Sequence, residues 1–108
     1  MNFWYPTCVP CRAEFPLLVK ELQAKAGDDF AVVGVLSRDT PEMARDFVSE
    51  MGATWPTVVD TDKAIAKRYL VLGWPQSYYI DRDGVVRGLQ IGEIQDQDFQ
   101  ANYAKISG

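Results

Sequence analysis

The chain has 108 residues, 47% of them hydrophobic, which suffices for one core and one domain. Eleven Lys and Arg stand against 15 Asp and Glu, a formal charge of −4, and that balance argues against a nucleic-acid partner, whose phosphates are held by clustered cations. Two cysteines and no histidine exclude an imidazole base and leave too few ligands for a closed zinc site within one chain, although two chains could share a metal.

Asn2 to Tyr5 is a short aromatic stretch of strand type running into Pro6 and Thr7. From Val9 to about Lys25, Phe15, Leu18, Val19, Leu22 and Ala26 recur at helical spacing before Gly27. Pro10 suits the first turn of that helix; Pro16, inside it, is expected to remove the bond to Arg12 and kink it. Phe30–Leu36, the longest apolar run, reads as a strand buried on both faces and is far shorter than the roughly 20 residues of a membrane span. No secretory signal pattern is visible. Thr40-Pro41-Glu42 reads as an N-cap and acidic first turn, with Met43, Phe47, Val48 and Met51 as the inner stripe of a second helix ending at Gly52. Thr57–Val59 is expected as a short strand and Lys63–Leu70 as a short helix. Ser77–Ile80 and Val85–Ile91 flank the turn Asp81-Arg82-Asp83-Gly84 and read as an antiparallel hairpin. Phe99, Tyr103 and Ile106 supply the inner face of a closing helix. Right-handed crossovers between the early parallel strands place helices on both faces of a mixed sheet, an α/β fold.

The chemical signal is Cys8-Val9-Pro10-Cys11 where a strand gives way to a helix. Unpaired N–H groups and the macrodipole at a helix start favour a thiolate, the attacking species in disulfide exchange. Two intervening residues bring the second sulfur round one turn, where it can resolve a mixed disulfide. Cys8 is then an exposed nucleophile and Cys11 the resolving thiol. A structural disulfide, half of a metal site or two reduced core cysteines are the alternatives; a disulfide across so small a loop is a poor staple.

Asn2-Phe3-Trp4-Tyr5-Pro6-Thr7-Cys8-Val9-Pro10-Cys11-Arg12-Ala13-Glu14-Phe15-Pro16 resembles the active-site segment of thioredoxin-fold thiol-disulfide oxidoreductases of the TlpA, ResA and cytochrome c maturation type. Gly73-Trp74-Pro75-Gln76-Ser77-Tyr78-Tyr79-Ile80-Asp81 through Arg87 is similar to the family's cis-proline strand and hairpin. The resemblance implies a thioredoxin-like fold over a single domain, residues 1–108. It implies reduction of specific protein disulfides in an extracytoplasmic compartment, with no organic cofactor and no metal. It makes Pro75 a cis-proline facing the cysteines and Pro16 a shared helix kink. The backbone of Trp74 would pair with an extended substrate segment. An apolar collar including Trp4, and less so Tyr5, would surround Cys8. Some members use a buried acid after the second strand to move protons from the resolving thiol. Asp39 lies closest to that position, against the simpler reading of a solvated loop aspartate or an acid that helps start the next helix. Glu14, one turn after Cys11, matches the family pattern and is expected to orient or ion-pair.

The chain opens at Met1, already inside the first strand, so the family's upstream strand or hairpin and its membrane anchor are not expected in it. The implied partners are a disulfide-bearing protein substrate and an upstream thiol donor, acting on a monomer. A peroxide-reducing enzyme of the same fold is disfavoured, because its Pro-x-x-x-Thr-x-x-Cys pattern meets Met1 and Tyr5 here. A non-enzymatic thiol- or metal-binding domain is the other alternative. The absence of a histidine before Cys11 favours a reductant.

Overall fold

The aromatic stretch at the start forms β1, Asn2–Trp4, in a computed structural model that describes residues 1–107. It lies at the centre of a five-stranded sheet, which is why all three of its residues are buried. From it the chain enters helix α1, Val9–Ala24, which runs through Pro16 without ending there. Strand β2, Gly34–Leu36, returns parallel to β1, with Phe3 level with Val35. Helix α2, Pro41–Met51, starts on a Thr40 cap and ends at Gly52, whose φ of 69° suits glycine. Strand β3, Thr57–Val59, pairs parallel to β2 at the sheet edge.

A short 3₁₀ turn, Thr61–Lys63, leads into α3, Ala64–Arg68. The Asp60 carboxylate starts this helix by accepting from the Ile65 and Ala66 N–H groups at 2.8 and 2.9 Å. Strands β4, Gln76–Ile80, and β5, Val86–Ile91, form the expected hairpin, with β4 antiparallel to β1. Helix α4, Asp96–Ile106, closes the fold. The strand order β3-β2-β1-β4-β5 makes a mixed sheet with helices on both faces. Residues of α1, α2 and α4 join Trp4 in one core cluster, and α3 covers Phe3 and Val35 on the other face.

Three expectations are corrected. Strand β2 begins at Gly34 rather than Phe30: β1 starts only at Asn2, so residues 30–33 have no full neighbour on that side, and Ala31 is exposed. In the inner stripe of α2, Phe47, Val48 and Met51 pack into the core as expected, but Ala44 replaces Met43, which is 41% exposed. The short helix runs only from Ala64 to Arg68 rather than from Lys63 to Leu70, both of which take left-handed backbone angles.

Past Asn2 the sheet has a gap. A cavity of about 320 Å³ lies between residues 30–33 and the outer end of β4, walled by Phe30, Val32, Ile80 and Phe99. The Met1 amine projects there and donates to the Tyr78 carbonyl at 2.9 Å; burial pulls its pKa from 8.0 down to about 6. Among the described residues no helix is long and apolar enough to cross a membrane.

Candidate active site

Cys8 and Cys11 form a disulfide with their Cα atoms 5.2 Å apart. Cys8 is the N-cap of α1, and its sulfur accepts from the Cys11 N–H at 3.2 Å. The helix start thus aims an otherwise unpaired donor at the sulfur that would carry negative charge in the reduced protein. Cys8 is not the exposed thiol expected from sequence. It is 4% accessible and Cys11 is wholly buried, because both belong to the main core cluster and Tyr5 and Trp74 pack against that cluster. The residual access still falls on Cys8.

The Trp74–Pro75 peptide bond is cis. Antiparallel pairing places Phe3 opposite Gln76, so continuing that register sets Trp4 level with Pro75 and brings the proline to the end of the sheet from which Cys8 leaves. Trp74 is half-buried, with the Lys63 ammonium 5.4 Å from its ring. Trp4 is corrected as a site residue. It is fully buried, with its ring 4.8 Å from Phe15 and 5.7 Å from Phe47, so it supports the site from beneath and cannot reach a substrate.

Asp39 serves the loop before the cysteines. Its carboxylate accepts from the Thr7 N–H at 2.9 Å and the Thr7 hydroxyl at 2.8 Å, while Thr40 caps α2 with its own hydroxyl. Arg12 donates to the Pro6 carbonyl at 3.1 Å and lies 4.4 Å from the Phe47 ring centre.

Glu14 departs most from expectation. It is wholly buried and makes no ion pair among the described residues. One carboxylate oxygen accepts from the Ile94 N–H at 3.0 Å and the other from Asn2 Nδ2 at 2.7 Å. Burial pushes its pKa from 4.5 up to about 7, against the pull of those two hydrogen bonds, with nearby Glu93 adding a smaller push upward. Burial, with Glu14 and Asp98 nearby, likewise raises the Tyr79 phenol. The carboxyl is thus poised near neutrality, one turn beyond Cys11 on the same helix. Sequence reasoning passed over Asn2 and Ser77, which complete this buried network. The available signal was a polar Asn beginning an otherwise aromatic central strand.

A family profile described as the AhpC/TSA family matches residues 1–89. The chain belongs to that family. It is 31% identical over 103 residues to the thioredoxin-like protein YneN of Bacillus subtilis, covering 93% of this chain and 59% of that one. It is 32% identical over 108 residues to the thiol-disulfide oxidoreductase ResA of Bacillus anthracis, covering 99% and 62%. The chain therefore spans under two thirds of the length of these curated relatives. Among solved structures, a thiol:disulfide interchange protein DsbE of Chlorobium tepidum superposes with a TM-score of 0.89 at 26% identity, covering 99% of this chain and 77% of that one. The fold is thus thioredoxin-like, and the ResA and DsbE relatives are named for disulfide exchange.

Proposed function

We propose that this chain is a thiol-disulfide oxidoreductase that reduces protein disulfides. The observation that carries the reading is the Cys8–Cys11 pair at the start of α1, with the Cys11 N–H directed at the Cys8 sulfur. The Cys8 thiolate attacks a substrate disulfide, forming a mixed disulfide and releasing one substrate thiolate. Cys11, deprotonated, then attacks the Cys8 sulfur and releases the second. The substrate gains two electrons and the protein becomes the disulfide seen here, which a dithiol donor must reduce before the next cycle.

Glu14 takes the proton that Cys11 gives up, and Asp39 holds the nucleophile's loop through Thr7. The half-buried Trp74, next to the fully buried Pro75, lines the place where an extended substrate segment lies beside Cys8. An extracytoplasmic location, with substrate and thiol donor both proteins, belongs to the same reading and rests on family resemblance.

Insulin reduction tests it. Cys8→Ser should abolish turnover, and Cys11→Ser should accumulate a mixed disulfide; wild-type turnover in both variants would overturn the proposal. A glutathione titration of the pair tests direction: a midpoint near about −120 mV, the strongly oxidising end of this chemistry, would overturn the reductant assignment.

A further inference from the structure

The Glu14 network contains a polar atom without a partner. The Asn2 amide nitrogen donates to Glu14 at 2.7 Å and to the Ser77 hydroxyl at 2.9 Å, but Asn2 Oδ1 is buried and unpaired. Every donor around the carboxyl, Asn2 Nδ2 and the Ile94 N–H, suits the ionised form. A protonated Glu14 would carry an O–H that needs an acceptor. Turning the Asn2 amide by 180° supplies one, since Oδ1 then faces both the Glu14 O–H and the Ser77 hydroxyl. One end of the amide is unpaired in either orientation, so that cost nearly cancels. The carboxyl proton is left to decide between them.

We propose that Asn2 is the positioning residue for Glu14, its side-chain amide donating to the carboxylate and reversing to accept from the carboxylic acid. The ionisable groups acting on this carboxyl are Glu93 before α4 and Tyr79 on β4. Neither is a cation, so Asn2 and the Ile94 N–H carry the stabilisation of the charged form. When Cys11 gives up its proton, Glu14 gains it and the amide turns; when Glu14 returns the proton, the amide turns back. This consequence for turnover rests on the proton role assigned to Glu14 above, whereas the amide reversal does not.

Side-chain amide NMR of the oxidised wild-type protein, across about pH 5 to 9, needs no variant. The Asn2 Nδ2 resonance should move in one step at the midpoint of the Glu14 carboxyl carbon, and its contacts to the Ser77 β-protons should change with it. An Asn2 amide that stays constant while Glu14 titrates would overturn the proposal. Asn2→Leu removes a charge-assisted bond and should raise the Glu14 midpoint by about one pH unit, a tenfold change in proton affinity. The pH inflection of insulin reduction should move equally; Ser77→Ala, a milder change, should move both by less. If the amide reverses but the turnover profile of Asn2→Leu is unchanged, the proton role of Glu14 falls and the reversal stands.

Discussion

Replacing Glu14 by Gln should change how stability depends on pH. In the folded protein the carboxyl keeps its proton up to about pH 7, while in the unfolded chain it ionises near 4.5. Between these values the folded state binds more protons than the unfolded one, so the contribution of Glu14 is fully present below about pH 4.5 and is lost as pH rises through about 7. The gap corresponds to about 3 kcal/mol. Gln keeps the shape, accepts from the Ile94 N–H and can donate to the otherwise unpaired Asn2 oxygen, but does not ionise. The Met1 amine works in the opposite direction between about pH 6 and 8, so the pH curve of the wild type alone would hide the effect. Subtraction removes that contribution, because both proteins share it. Urea unfolding of the two disulfide-bonded proteins, followed by tryptophan fluorescence, should show the variant gaining about 3 kcal/mol on the wild type between about pH 4.5 and 8. Parallel curves across that window would refute the assignment of a buried, near-neutral carboxyl.

Gly88→Val should destabilise by about 1 to 3 kcal/mol, because even a Cβ at this position would lie 2.4 Å from the buried Asn102 side chain of α4; unchanged thermal unfolding would contradict that packing. Asp39→Ala should cost about 1 to 2 kcal/mol through the two lost bonds to Thr7 and should speed hydrogen exchange at the Thr7 amide. Unchanged protection there would remove Asp39 from its role in holding the loop.

The parts of this protein that could be read from sequence are those fixed by local chemistry. The Cys8 to Cys11 spacing, the Thr40 cap and the Asp81–Gly84 turn each act within a few residues, and each stands where it was expected. A mixed sheet with helices on both faces followed from them, because short connections and right-handed crossovers leave few alternatives. What could not be read depends on who the neighbour is. Phe30 to Val33 has the composition of a strand, but pairing needs a partner, and β1 starts too late to provide one. Met43 and Ala44 differ by a single helical step that only the packed partner decides.

Glu14 shows the same limit at the site itself. One turn beyond Cys11 on an amphipathic helix, an acid reads as a surface residue seeking a cation. Its burial is set by Asn2 in a strand 12 positions earlier and by the Ile94 N–H 80 positions later. Neither partner carries charge, so a search for complementary charges could not have found them. The cysteine pair is local to one helix turn, whereas the Glu14 carboxyl is held by three segments that meet only in the folded sheet. Local sequence therefore located the cysteine pair, while the burial of the carboxyl needed the tertiary structure.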